Sequence, residues 1–118
     1  MRGFKIKRIY DAPSDDDGYR ILVDRLWPRG ISKAESALDE WNREIAPSPE
    51  LRKWFDHKKE RFEEFSLRYR LELKDKKEQL DKLRQKAQSD SVCLLYAAKD
   101  PEINQAVILK EVLEEEVS

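Results

Sequence analysis

"YRILVDRLWPRG", residues 19–30, joins an unbroken apolar run to a charged turn. Its centre, Ile21-Leu22-Val23, is apolar at three consecutive positions, so an extended segment here buries both faces. That pattern belongs to a central strand of a parallel sheet covered on both sides; a strand with one wet face alternates instead. The run then passes into Asp24, Arg25 and a Trp-Pro-Arg-Gly turn. Charged groups are costly to bury unless paired. The segment therefore reads as a strand over 19–24 whose charged end reaches the rim of the sheet.

On the N-terminal side, "FKIKRIY" (4–10) alternates apolar and basic residues, which predicts a strand with one solvated face. "DAPSDDDG" (11–18) combines turn-forming Pro, Asp and Gly, and its three consecutive acids read as a solvated loop tip. On the C-terminal side, Ser32 is placed to cap a short helix through about Leu38. Residues 39–46 are ambiguous: Trp41 and Ile45 share a face at helical and at strand spacing. Ser48 followed by Pro49 starts a helix, with Leu51, Trp54 and Phe55 inward. Phe62, Phe65, Tyr69 and Leu73 mark a longer amphipathic helix, and Leu80, Leu83 and Ala87 another beyond a break near Lys74–Asp75. "SVCLLYAA" (91–98) is a second fully buried strand. Asp100 and Pro101 are then expected to cap and open a last helix with Ile103, Ala106, Val107, Leu109, Val112 and Leu113 inward. The predicted fold is α/β: one small domain over 1–118, with a mostly parallel central sheet of about four strands flanked by helices.

Composition narrows the function classes. Among 118 residues, 24 Lys and Arg face 25 Asp and Glu, which argues against a general nucleic-acid binder. The charge is uneven, with eight basic residues against five Asp in 1–34 and one Lys against six acids in 100–118. A lone cysteine, Cys93, sits in an apolar run and suits a reducing, cytoplasmic setting. No segment nears the apolar length of a membrane helix, so no membrane partner is expected. Metal-ligand spacings, phosphate-cradling glycine loops and nucleophile motifs are lacking, which gives no metal site and leaves any cofactor unknown.

In open parallel sheets, ligands sit beyond the carboxyl ends of the strands. That rule gathers Tyr10 from the first strand, and Asp24, Arg25, Trp27 and Arg29 from the second. Tyr96 and Lys99 come from the buried strand, and Asn104 and Gln105 from the start of the last helix. Arg25, Arg29 and Lys99 near a helix amino end would suit a phosphate or carboxylate, since a guanidinium fork matches either group. Tyr10 or Trp27 would stack on a base, and Asn104 and Gln105 would supply hydrogen bonds. Asp24 is the candidate general base. Beside this stands a purely structural reading, in which Asp24 and Arg25 pair with neighbouring charges, Trp27 packs over a helix and Pro28 stops the strand. His57, the only histidine, has no evident partner and is expected to be exposed.

"KRIYDAPSDDDGYRILVDRLWPRGISK" (7–33), "EWNREIAPSPELRKWFDH" (40–57), "RFEEFSLRYRLEL" (61–73) and "LLYAAKDPEINQAVILKEVL" (94–113) resemble the YeaO-like family, a branch of the domain of unknown function 488. The resemblance spans roughly residues 5–114 and implies a cytoplasmic prokaryotic protein without an assigned reaction. Asp24, Pro28 and Arg29 match the pattern of the broader family. Tyr96 and Ala98 stand where that family has Cys and Glu, and Asn104, Gln105 and Ala106 where it has Cys-His-Arg. The resemblance therefore implies that a reactive thiol, carboxylate and imidazole are missing here, and it favours a strand for 39–46. Two functions follow as expectations. One is a domain binding a small anionic ligand, such as a nucleotide or phosphorylated metabolite. The other is a non-catalytic interaction or regulatory module, with nucleic acid or a partner protein as the two partners open to it.

Overall fold

In the computed structural model, residues 3–115 are described, and four strands form one sheet in the order β1-β4-β2-β3. They are β1 (Phe4–Arg8), β2 (Tyr19–Leu22), β3 (Glu40–Trp41) and β4 (Val92–Tyr96), and every pairing is parallel. All five β4 residues are buried, as its unbroken apolar run requires. Beside it, β2 continues one hydrogen bond past its last paired residue, from the Val23 N–H to the Leu95 carbonyl at 3.0 Å. Residues 39–46 do contain a strand, but of two residues only. Asn42 ends it, its Oδ1 accepting the Ile45 N–H at 3.0 Å and turning the chain.

Five helices follow from local signals: α1 (Lys33–Ser36), α2 (Pro49–Phe55), α3 (Phe62–Lys74), α4 (Lys77–Ser89) and α5 (Gln105–Glu114). Ser32 and Glu35 form a reciprocal capping box on α1. Ser48 caps α2 by accepting the Leu51 N–H, and its hydroxyl donates to Glu72 at 2.6 Å, tying the start of α2 to α3. The start of α5 departs from expectation. Asp100 does not cap it: the Asp100 carboxylate accepts the Glu102 and Ile103 N–H groups and closes a tight turn after β4. Asn104 is the cap, accepting the Val107 N–H at 3.1 Å. The later start brings Ile108 into the core and leaves Val107 half-buried.

The two sheet faces are covered differently. Phe4, Ile21, Val23, Val92, Leu94 and Tyr96 face the large core built with α2, α3, α4 and α5. On the other face Ile9, Leu22, Cys93 and Leu95 pack under Trp27, Ile31, Leu38 and Trp41. The strand register places Lys5 and Arg20 on either side of Cys93 on this second face. Contrary to the solvated tip expected, Asp17 of the acidic loop is fully buried there. Its carboxylate meets Lys5 at 2.9 Å, Lys7 at 3.0 Å and Arg20 at 2.5 Å, and accepts the Ser14 N–H at 3.0 Å. The basic face of β1 is thus roofed by one acid that its cations share. Among the described residues no helix is long and apolar enough to cross a membrane.

Candidate functional site

A cavity of about 690 Å³ opens where the strand rule places it, beyond the carboxyl ends of β2 and β4. Its floor is Asp24. The Asp24 carboxylate accepts the Ala97 N–H at 2.9 Å and the Gln105 side-chain amide at 2.8 Å, joining the ends of β2 and β4 to the first turn of α5. Gln105 also donates to the Val23 carbonyl at 3.1 Å, which fixes its amide orientation. Burial pushes the Asp24 carboxyl above its ordinary value, against the lowering influence of these two donors and of nearby His57 and Arg52.

The walls carry more positive than negative charge. Arg25, Arg29, Arg52, Lys59 and Lys99 line the cavity with His57, against Asp24 and Asp100. These cations differ in how far they are already committed. The Arg25 guanidinium donates to the backbone carbonyls of Pro47 at 2.9 Å and Ala46 at 3.3 Å, so it holds the segment before α2 in place. Arg29 and Lys99 are exposed at the rim. Tyr10, beside them, donates to the Arg29 carbonyl at 2.9 Å and carries the Arg8 guanidinium over its ring. Trp27 reaches the cavity from the second face, where its indole donates to the Ile31 carbonyl at 2.6 Å and meets Trp41 edge-on.

Seven of the residues selected from sequence therefore line one cavity: Tyr10, Asp24, Arg25, Trp27, Arg29, Lys99 and Gln105. Tyr96 and Asn104 do not. Tyr96 points into the large core, and both polar ends of Asn104 are used in capping α5 and in a bond to the Asp100 carbonyl. Sequence reasoning missed Arg52, His57 and Lys59, which arrive from α2 and the turn after it. The signal was there in part: His57 is exposed as expected, yet it follows a helix that ends abruptly. Asp56 and His57 both adopt left-handed φ, 48° and 54°, inside a turn closed by the Lys58 N–H and the Phe55 carbonyl at 3.0 Å. Asp and His tolerate this region better than most residues, but each still costs about 1 kcal/mol there. Among the described residues no cluster of three or more His, Cys, Asp or Glu is placed to hold a metal ion.

The arrangement is a carboxylate floor, a cationic wall and an aromatic rim. The model of the family described as the inactive DUF488-N3 subclade matches residues 3–118. The chain belongs to that subclade. Its relatives include the uncharacterized protein YeaO of Escherichia coli K12, 46% identical over 105 residues, which are 89% of this chain and 91% of that protein. The uncharacterized proteins Mb3100c of Mycobacterium bovis and Rv3073c of Mycobacterium tuberculosis are each 48% identical over 71 residues, 60% of this chain and 60% of theirs. No solved structure matches the chain. The YeaO-like resemblance of the motifs is thus a true family relationship, and Asp24, Pro28 and Arg29 all line the cavity.

Proposed function

We propose that this subclade member is a non-catalytic cytoplasmic module that binds a small anionic ligand, a nucleotide or phosphorylated metabolite, at the carboxyl ends of its strands. The observation that carries this reading is the excess of cationic side chains around one cavity of ligand size. Tyr10 and Trp27 supply aromatic surface for a ring at the rim. Asp24 is held by the Ala97 N–H and Gln105, so it serves to shape the floor and to accept a ligand hydrogen bond rather than to act as a base. The non-catalytic part is supported by the word "inactive" in the family's description. It is also supported by the positions where the broader pattern has reactive groups: Tyr96 is core, Asn104 is a cap and Gln105 braces Asp24.

Calorimetric titration at low salt with inorganic phosphate, phenyl phosphate and AMP, with phenol and adenosine as neutral controls, tests the reading. Saturable binding of the anions and none of the neutral controls is the expected result. Arg29→Ala removes an exposed guanidinium with no side-chain partner among the described residues. Through its charge at the rim it is expected to weaken the anions about threefold, while the melting temperature moves by no more than about 2 °C. A variant that melts far lower and binds equally well contradicts the assignment. Parallel titration with RNA and DNA at two salt concentrations tests the alternative partner, whose binding would fall steeply with salt.

A further inference from the structure

We propose that the end of α2 and the turn after it, Arg52 to Lys59, form the subsite for the single anionic group of the ligand, a phosphomonoester or carboxylate whose other end is uncharged. The proposal rests on the pocket reading above and assigns the charge to one wall. Two independent features converge there. Arg52 lines the cavity, yet its guanidinium makes no hydrogen bond or ion pair to an acceptor among the described residues, and its Nε is buried without a partner. Buried donors are as a rule paired in folded proteins, and a ligand oxygen on the outer N–H groups would give this guanidinium its acceptor. One turn later, His57 is held at the cavity on a left-handed backbone that glycine would adopt without strain. Each feature is unfavourable on its own, and both sit on the same wall. Strain and unmet hydrogen bonds concentrate where a site is held ready for a ligand.

The other cations fit this role less well. Arg25 already donates to the Pro47 and Ala46 carbonyls, and Arg29 and Lys99 lie at the exposed rim. Asp24, on the opposite side of the charge balance, repels a second anionic group and accepts a hydroxyl or amino group instead. A ligand charged at one end is the chemistry that satisfies the cationic wall and the carboxylate floor together.

Phenyl phosphate is the probe, titrated into the wild-type chain and into Arg52→Gln, Arg52→Lys and His57→Gly, with thermal melts of each in phosphate-free buffer. Arg52→Gln is expected to bind at least about tenfold more weakly, Arg52→Lys to recover part of that loss, and His57→Gly to bind several-fold more weakly. Both Arg52→Gln and His57→Gly are expected to melt at or above the wild-type temperature, because each removes a locally unfavourable feature. If the wild-type chain binds and these variants bind equally well, the subsite is elsewhere in the cavity. If either melts clearly lower, its side chain is structural and the assignment fails. Absence of wild-type binding to phosphate, phenyl phosphate and AMP alike removes the pocket reading and this subsite with it.

Discussion

Asp17→Asn is expected to destabilise the domain by roughly 3–5 kcal/mol, the range for breaking a buried ion pair by removing one partner. The asparagine is nearly the same size, so no cavity is created; what changes is charge. Lys5, Lys7 and Arg20 converge on this one fully buried carboxylate, and Arg20 is itself 4% exposed. Without the negative charge, three cations face one another under a roof. Arg20 also donates to the Ser36 and Ala37 carbonyls at 2.8 and 3.1 Å, so its displacement would loosen the end of α1. Burial alone would raise the Asp17 carboxyl, but the hydrogen bonds from Lys5, Lys7, the Ser14 backbone and Arg20 outweigh it and hold the group well below its ordinary 3.8. A depressed folded value means that the contribution is fully present above the unfolded value. It is lost as pH falls from about 4–5 through the folded value, as the native state is forced to take up the proton. Urea melts of the wild type and Asp17→Asn from pH 7 to pH 3 check this. The gap between the two should begin to narrow below about pH 5 and keep narrowing to pH 3; a constant gap across that window would show that the carboxylate charge is not what stabilises the cluster.

Gly18→Ala is the second large effect, expected at about 2–4 kcal/mol from backbone strain and overpacking together. Gly18 has φ +70°, and a Cβ there would lie 2.3 Å from the Ser91 carbonyl oxygen. That oxygen accepts the Tyr19 N–H at 2.8 Å, the bond that sets β2 beside β4. Neither partner has room to yield: moving Ser91 shifts the start of the central strand, and moving Tyr19 shifts the register that brings Asp24 to the cavity. A thermal melt is expected to show a midpoint lower by roughly 10 °C or more. A substitution tolerated within a degree or two would mean that the β2–β4 junction is far more compliant than its geometry shows.

The strand at 19–24 and the strand within 91–98 were legible because burial on both faces leaves a local signature, an unbroken apolar run. The aromatic spacing of α3 and the Ser48-Pro49 start of α2 were legible for the same reason: each signal lies within one turn of the element it specifies. Asp17 was not. Its partners lie on two strands, at Lys5, Lys7 and Arg20, and nothing in "SDDDG" separates the buried acid from its exposed neighbours Asp15 and Asp16. The start of α5 was misread because Asp-Pro is a sound helix opening, while Asn104 four residues later makes the cap that the packing of Ile108 and Leu109 requires. At the cavity, the strand-end rule found the residues carried by β1, β2 and β4. It could not find Arg52 and His57, because the wall they form depends on how α2 docks, which is a matter of tertiary contact between Leu51, Phe55 and the α3 aromatics.

Anion binding in the cavity beyond the strand ends is checked by ¹⁵N-resolved NMR of the full chain titrated with phenyl phosphate at low salt. Saturable amide shifts confined to Tyr10 and the segments 24–29, 52–59 and 97–105, with the Asp17 cluster and α4 unmoved, are the predicted result. Shifts that fail to saturate, or that centre outside these cavity-lining positions, would contradict it.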